Sequence, residues 1–270
     1  MSGITVIVPF SRPSQVGHVV ACFARQRYQD KRLVVVENGA AVGQWTLPAD
    51  AVLTASSGPA EARNVGLDYV RQHGGGGFAM FDDDDYYGPG YLEEVAQALC
   101  KGADVVGKAA LFVRVQAGLR AILGGPEHMW CRSLFPGCTL AGWADTACEF
   151  PDRRVGEDSA WLLAMIAQGA QMWAGSRFGF CYDRSGVDHA LQVEDDVLLR
   201  CWARGNAKAY DFGDWDPGVV DGVMDVVPAK LELGEYRVSD DPGARAAANR
   251  LGWNLEEMAR MPIQILGGTG

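Results

Sequence analysis

Four consecutive carboxylates, Asp82 to Asp85, have the clearest chemical potential in the sequence. They follow the apolar run 78–81 and precede a Gly-Pro-Gly turn at 88–90. Carboxylates packed this closely repel one another by about 1 kcal/mol per pair even in water. Hard divalent ions take oxygen ligands, usually one or two carboxylates together with phosphate oxygens of a substrate. A cation site at the end of a buried strand therefore explains the cluster better than a solvated acidic turn does.

The strands and helices predicted before the cluster indicate where such a site lies. The β-branched runs 4–9 and 32–37 are separated by apolar residues at helical spacing over 16–23, which predicts a βαβ unit and a parallel sheet. In open α/β sheets, ligands bind outside the carboxyl ends of the strands. The residues expected at this rim are Pro9, Phe10, Arg12, Glu37 and Asn38.

Four motifs follow one another along the chain: the strand ends at 6–12 and 34–39, an Ala-Arg-Asn segment within 58–66, the acidic segment 81–92, and Gly-Glu-Asp-Ser at 156–159. In this order and spacing they resemble the pattern of family 2 glycosyltransferases, in particular small soluble bacterial or phage members. The resemblance implies an α/β chain with the GT-A fold, which has a Rossmann-like, mostly parallel central sheet flanked by helices.

The resemblance also implies a nucleoside-diphosphate sugar as the donor, with UDP-sugars favoured, and Mn²⁺ or Mg²⁺ as the cofactor. A divalent ion held between phosphates and protein carboxylates stabilises the charge of the departing diphosphate. By its position before Pro89, Asp84 is the predicted direct metal ligand. Asp82 is expected to contact the ribose or a metal-bound water and to belong to the metal site, which His189 would complete.

The rim residues Pro9, Phe10, Arg12 and Asn38 are predicted to bind the donor, and so are three residues with more specific roles. Arg63 matches the residue that the family places near the donor base and diphosphate. Glu37 takes the position where the family usually has an Asp that contacts the nucleobase, so the identity of the base stays open. Asp83 is counted with the donor-binding residues, although a solvated or structural role is favoured for it and for Asp85, and Asp85 would also suit a place behind the metal ligands.

Asp158 is the predicted general base of an inverting transfer. Such a transfer needs one carboxylate to remove the acceptor's hydroxyl proton while the oxygen attacks the anomeric carbon opposite the leaving group. Glu157 is the second predicted catalytic residue and is expected to orient the acceptor or the helix. Both acids would also suit a helix N-terminus, where the dipole favours negative charge. A second Asp-x-Asp, at 214–216, is interpreted as unrelated to the site because no apolar strand precedes it.

Composition limits the classes of protein that the chain could belong to. Its 270 residues are 48% hydrophobic and 21% charged, which is typical of a soluble globular protein. A net charge of −10 and a pI near 4.9 argue against a large nucleic-acid interface. No apolar run reaches the roughly 20 residues of a membrane span. The 7 scattered cysteines include no Cys-x-x-Cys pair and fit a reducing cytoplasm.

The domain organisation is predicted from the extent of the motifs. We expect one GT-A domain over 1–205 and a C-terminal extension over 206–270 that packs on it. Within the domain, 1–103 would be the nucleotide-sugar-binding half and 104–205 the acceptor half. Residues 118–150 contain several turn signals and are predicted to be rich in loops.

Two other functions stay open. A GT-A-like nucleotidyltransferase would share the sheet and the metal-binding acids, but such enzymes usually have a Gly-rich loop with Arg or Lys after the first strand, and 9–13 does not resemble it. A non-catalytic carbohydrate-binding protein of the same fold would not need Asp82, Asp84 and Asp158. The sequence leaves open whether the hydroxyl acceptor is a soluble or lipid-linked glycan, a protein or modified nucleic acid. It does not indicate the oligomeric state.

Overall fold

The computed structural model describes residues 3–38, 48–153, 156–186, 194–203, 206–231 and 233. In the first part of the chain the order strand, helix, strand occurs twice, and its first occurrence is the predicted βαβ unit. The strands and helices are β1 (Ile4–Phe10), α1 (Val16–Ala24), β2 (Lys31–Asn38), β3 (Ala51–Ala55), α2 (Pro59–Gln72) and β4 (Gly77–Met80).

The rest of the described chain contains more strands than helices, and most of those strands are short. The elements are β5 (Tyr86–Tyr87), α3 (Tyr91–Cys100), β6 (Val105–Gly107), β7 (Leu111–Val115), β8 (Gly118–Leu123), β9 (Met129–Cys131), β10 (Ala141–Trp143), α4 (Glu157–Ala167), β11 (Met172–Ala174), β12 (Phe180–Asp183), α5 (Asp195–Trp202), β13 (Lys208–Gly213), α6 (Pro217–Val220) and β14 (Ala229–Lys230). Short 3₁₀ turns lie at Pro13–Gln15 and Gly137–Thr139.

The central sheet has eight strands in the order β3-β2-β1-β4-β10-β6-β11-β9. Strands β3, β2, β1 and β4 are parallel, as are β6 and β11, whereas β10 and β9 are antiparallel to their neighbours. A strand buried on both faces needs a continuous apolar run, and β1 provides one. Side chains alternate between the two faces of the sheet along β1. Ile7 therefore packs with α2 and α4, whereas Val6 and Val8 pack with α1 and α3. The predicted α/β class, with a mostly parallel sheet flanked by helices, is confirmed.

A second sheet was not expected. It has six strands in the order β14-β13-β8-β7-β12-β5. Segment 118–150, predicted to be rich in loops, contributes β8 to this sheet and β9 and β10 to the central sheet, and most of its other residues lie in turns and loops. These strands are short, and β8 pairs with β13, which lies far away in the chain. Local sequence patterns therefore do not indicate this pairing. Among the described residues, no helix is long and apolar enough to cross a membrane.

Candidate active site

The site begins where β1, β2 and β4 end side by side. In the parallel register Phe10 lies opposite Glu37, and Ile7 lies opposite Met80. The amide of Phe81 still donates a hydrogen bond to the carbonyl of Ile7, at 3.0 Å. The chain leaving β4 therefore runs beside the chain leaving β1, and this places the four aspartates against the segment that follows Phe10.

Burial alternates along the acidic cluster. Asp82 and Asp84 are partly exposed, whereas Asp83 and Asp85 are buried. The chain turns at Asp83 and Asp84, so the rule that residues two apart in a strand share a face does not apply, and the exposure alone shows that Asp82 and Asp84 are the two carboxylates that solvent reaches. The other two carboxylates point inward, and neither is solvated.

Asp83 binds the segment after β1. Its carboxylate accepts hydrogen bonds from the amides of Ser11 and Arg12, at 3.1 and 3.2 Å, and from Arg12 Nε at 2.9 Å. Arg12 Nη1 also donates to Asp84 Oδ2 at 2.7 Å. Burial lowers the pKa of Arg12, but the charges of Asp83 and Asp84 outweigh it and raise this pKa above its ordinary value. The guanidinium thus neutralises part of the cluster, and an ion at Asp84 would share this carboxylate with Arg12 or take it over.

Asp85 occupies the most enclosed position of the cluster. It is 0% exposed, and one carboxylate oxygen accepts a hydrogen bond from the amide of Asp183 at 2.9 Å. Burial, followed by repulsion from Asp84 and Asp82, raises the pKa of Asp85 well above its ordinary value. The other oxygen, Oδ2, is buried and has no hydrogen-bond partner in the described part of the chain.

One group of side chains within the described ranges could hold a metal ion. It consists of Asp82, Asp85 and Cys138, whose ligand atoms lie within 4.8 Å of one another. The unpartnered oxygen of Asp85 fits a cation, and two carboxylates suit Mg²⁺ or Mn²⁺, whereas a thiol suits softer metals. Asp82 is common to this group and to the set predicted from the sequence. His189 lies outside the described residues.

Asp82 connects the acidic cluster to the opposite wall of the site. Its side chain is 32% exposed, and its Oδ1 lies 3.5 Å from Nη2 of Arg63. Burial raises the pKa of Asp82 to about 6; repulsion from Asp84, Asp83 and Glu157 adds to the rise, and Arg63 opposes it. Asp82 therefore holds its proton more strongly than an ordinary aspartate does.

The opposite wall is the first turn of α4, which starts after Gly156 in the left-handed conformation. Glu157 is buried and ion-paired with Nη1 of Arg63. Asp158 is partly exposed, and its Oδ2 accepts a hydrogen bond from the amide of Gly137 at 3.0 Å. A β-carbon on Gly137 would lie 3.0 Å from that same oxygen and 3.1 Å from Nη2 of Arg63. Only glycine leaves this approach unhindered.

The remaining predicted donor residues lie at the rim with different exposure. Glu37 is 5% exposed and Phe10 is 3% exposed, with Phe10 packed in the core beneath the strand ends. Pro9 and Asn38 are partly exposed. The second Asp-x-Asp follows strand β13, which contains Lys208 and Asp211 and has a single buried residue, so this strand is not an apolar one. Asp216 of this motif accepts a hydrogen bond from the amide of Gly218 at 2.7 Å and so caps α6.

The known proteins that resemble this chain are solved structures. No family model and no curated protein matches the chain. S. aureus TarS 1–349 in complex with UDP-GlcNAc superposes with a TM-score of 0.52 and 16% identity, over 82% of this chain and 70% of that one. Its complex with UDP gives a TM-score of 0.50 at 16% identity, over 94% and 76%. The mannosyltransferase PcManGT from Pyrobaculum calidifontis, in complex with GDP-Man and Mn²⁺, gives 0.50 at 16% identity, over 74% and 60%.

The chain has the GT-A glycosyltransferase fold. At this identity the likeness shows the fold, as the resemblance of the sequence motifs implied. Two contributions to the GT-A site were not predicted: the amide of Gly137 and the thiol of Cys138. The signal available for both was the small-residue segment 137–139, which precedes the Glu-Asp pair in the sequence.

Proposed function

We propose that this protein is an inverting glycosyltransferase that moves a sugar from a nucleoside-diphosphate sugar to a hydroxyl acceptor. The observation behind the proposal is the placement of Asp82 and Asp158. These two carboxylates come from distant parts of the chain, and the charges of both raise the pKa of one buried arginine, Arg63. Asp82 follows the carboxyl end of the parallel strand β4, and its Oδ1 lies 3.5 Å from Nη2 of Arg63. That rim is where ligands bind in open α/β sheets.

Asp158 is the proposed general base. One of its oxygens accepts from the Gly137 amide and the other from the amide of Ser159, at 2.6 Å, so the carboxylate is oriented by the backbone. A carboxylate within hydrogen-bond distance of an acceptor hydroxyl can take its proton as the oxygen attacks. The ion pair with Arg63 engages Glu157, which we assign to orientation and not to proton transfer.

Mn²⁺ or Mg²⁺ is the proposed cofactor, and the mannosyltransferase neighbour is described with Mn²⁺. Asp82 would hold the ion together with Asp84 or Asp85, and His189 is retained as a further proposed ligand. The ion would supply positive charge beside the leaving diphosphate. Arg12, already beside Asp84, would supply charge at the same place.

UDP-sugars remain the favoured donors, and the TarS structures contain UDP-GlcNAc or UDP. The mannosyltransferase is described with GDP-Man, so a GDP-sugar is the second donor class to test. Glu37 and Asn38 at the end of β2 are the proposed contacts for the base, with Pro9 and Phe10 shaping the adjacent rim. A nucleotidyltransferase is disfavoured because the segment after β1 forms a 3₁₀ turn at Pro13–Gln15, where those enzymes usually have a Gly-rich loop.

Donor hydrolysis tests the proposal directly. UDP-GlcNAc and GDP-mannose are incubated with the protein and Mn²⁺, with and without EDTA, and release of UDP or GDP is measured. We expect metal-dependent turnover of one of them. Calorimetric titration of Mn²⁺ into Asp82→Asn, Asp84→Asn and Asp85→Asn, in the presence of UDP or GDP, then shows which carboxylates bind the ion. The proposal would be contradicted if the protein neither hydrolysed nor bound a nucleotide of either donor class. Binding without turnover would favour a carbohydrate-binding protein.

A further inference from the structure

Arg63 lies where helix α2 comes closest to the central sheet. A β-carbon on Gly66 would meet Cγ2 of Ile7 at 2.3 Å, so glycine at this position allows α2 to pack tightly against β1. The neighbouring Asn64 forms two hydrogen bonds to the backbone of Phe150, at 2.8 and 2.7 Å. Helix α2 is therefore joined to the sheet on one side and to the segment before α4 on the other.

The guanidinium of Arg63 is enclosed by the groups of both walls. Its residue exposure is 5%, and its carbon Cζ lies 5.6 Å from the ring centre of Phe150. Nη1 is paired with Glu157, and Nη2 faces Asp82 at 3.5 Å. Burial lowers the pKa of Arg63, but Asp82, Glu157 and Asp158 outweigh it and raise this pKa above its ordinary value.

These contacts disagree with a direct role in donor binding. A guanidinium binds a diphosphate through an open edge that carries two N–H groups. Both terminal nitrogens of Arg63 face protein carboxylates, and Nε is buried without a partner among the described residues. Nothing of the group is presented to a ligand in the way that Arg12, with 28% of its side chain exposed, is presented.

We propose that Arg63 is a positioning residue that fixes Glu157, and through it the first turn of α4, so that the Asp158 carboxylate stays on the Gly137 amide. The link is short because Glu157 and Asp158 are adjacent in the chain and Gly137 lies against both Arg63 and Asp158. This inference rests on the proposed function for its consequence in catalysis, but its geometric part concerns this chain alone.

The kinetic test compares Arg63→Lys with Arg71→Lys, a matched change on the same helix. Arg71 hydrogen-bonds the carbonyls of Ala144 and Ala147 and is ion-paired with Asp68, which is not one of the carboxylates of the site. For whichever of UDP-GlcNAc and GDP-mannose is hydrolysed, we expect Arg63→Lys to lower kcat by about 10-fold to 100-fold, because small misplacement of a catalytic group has effects of that size. KM should change less than about twofold, and Glu157→Gln should give a similar loss that does not add to the first. Arg71→Lys should leave kcat unchanged.

A second measurement does not depend on turnover. Hydrogen exchange of the Gly137 amide, followed by NMR, reports its hydrogen bond to Asp158. We expect faster exchange in Arg63→Lys and in Glu157→Gln, and no change in Arg71→Lys. If Arg63→Lys does not fold, Glu157→Gln decides the question alone.

Two results would overturn the inference. The first is unchanged Gly137 exchange in the variant that folds. The second is a raised KM, or weaker UDP or GDP binding, with kcat intact, which would make Arg63 a donor ligand. Absence of turnover and of nucleotide binding in the unmodified protein would instead refute the proposed function, and the exchange measurement would still decide the positioning role.

Discussion

Two buried ion pairs in this molecule, Lys108 with Glu94 and Arg63 with Glu157, differ in how completely their hydrogen bonds are satisfied. The ammonium of Lys108 donates to Glu94 at 2.7 Å and to the carbonyls of Ser176 and Phe178 at 2.6 and 2.8 Å. An ammonium has three donors, so Lys108 is saturated. Arg63 has a second carboxylate only at 3.5 Å and one buried N–H without a partner among the described residues.

The difference distinguishes a structural ion pair, Lys108 with Glu94, from an ion pair of the candidate active site, Arg63 with Glu157 (the site pair). Lys108 balances one carboxylate, whereas Arg63 lies among three, those of Asp82, Glu157 and Asp158. A saturated, balanced pair stabilises the folded chain once it is formed, and removal of one partner leaves a buried charge. Excess negative charge around one cation does little for stability, and such local conflicts are expected at functional sites. We therefore expect changes at the Arg63 pair to affect activity and changes at the Lys108 pair to affect stability.

The largest effect should come from Asp158→Asn. The amide keeps the shape of the side chain and an oxygen for the Gly137 amide, but it cannot take a proton, so donor hydrolysis should fall by about 10²-fold to 10⁴-fold. The free energy of unfolding in urea should change by no more than about 0.5 kcal/mol. Full activity in this variant would remove Asp158 from the role of base and leave Asp82 as the alternative carboxylate.

Lys108→Met should lower the stability and leave the activity unchanged, the reverse of Asp158→Asn. It leaves Glu94 buried without its partner, which costs about 3–5 kcal/mol in the free energy of unfolding. Hydrolysis per folded molecule should remain unchanged because Lys108 does not contact the acidic groups of the site. The double change Lys108→Met with Glu94→Leu serves as the control and should regain part of the lost stability. A loss of kcat at full stability would show that the two pairs do not differ as proposed.

Gly137→Ala should give a smaller effect at the site pair alone. The added β-carbon would lie 3.0 Å from Asp158 Oδ2 and 3.1 Å from Arg63 Nη2, so these groups must shift by a few tenths of an ångström. We expect kcat to fall by about tenfold, or about 1.4 kcal/mol in the activation free energy. Gly102→Ala tests the opposite case, since its φ of +95° strains any side chain although nothing lies nearby; stability should fall there while kcat stays constant.

The fold was predictable as far as local patterns reach. The strands β1, β2 and β4 are buried on both faces, which requires the continuous apolar runs that the sequence shows. One pairing of the second sheet is the local hairpin of β7 with β8. The sheet as a whole was not predictable because other pairings, such as Ala209 opposite Ile122, join distant segments. A short strand with a distant partner has no periodic signal of its own.

The candidate site also has a part that the sequence predicts and a part that it does not. The acidic cluster and the Glu-Asp pair are contiguous in sequence, so their residue types and spacing indicated a cleft with carboxylates on both sides. Which carboxylate meets which cation is decided by contacts between distant segments, such as Arg12 with Asp83 and Arg63 with Glu157. No spacing rule specifies such pairs, and the role of each aspartate in metal binding stays a prediction.

The smallest predicted effect is a difference in pH dependence between the two regions, and Glu94→Gln measures the structural side. Burial acts to raise the pKa of Glu94, but Lys108 and Ser176 outweigh it and hold this pKa below its ordinary value of 4.5. The stability that Glu94 contributes is therefore fully present above its unfolded pKa and is lost as the pH falls through its folded pKa. Urea unfolding from roughly pH 7 to roughly pH 3 should show the stability difference between the unmodified protein and Glu94→Gln shrinking in acid.

Asp82→Asn in EDTA buffer provides the counterpart at the site. The pKa of Asp82 is raised to about 6 by burial and by its acidic neighbours, so the folded state binds the proton more tightly than the unfolded chain does. Stability from this group is present below its unfolded pKa and is lost as the pH rises toward 6. The variant lacks this loss, so its stability relative to the unmodified protein should increase between roughly pH 4 and roughly pH 6, opposite in direction to the Glu94 result. The same direction for both variants would mean that Asp82 is stabilised as an anion, and the proposed contrast between a saturated structural pair and an overcharged site would then be wrong.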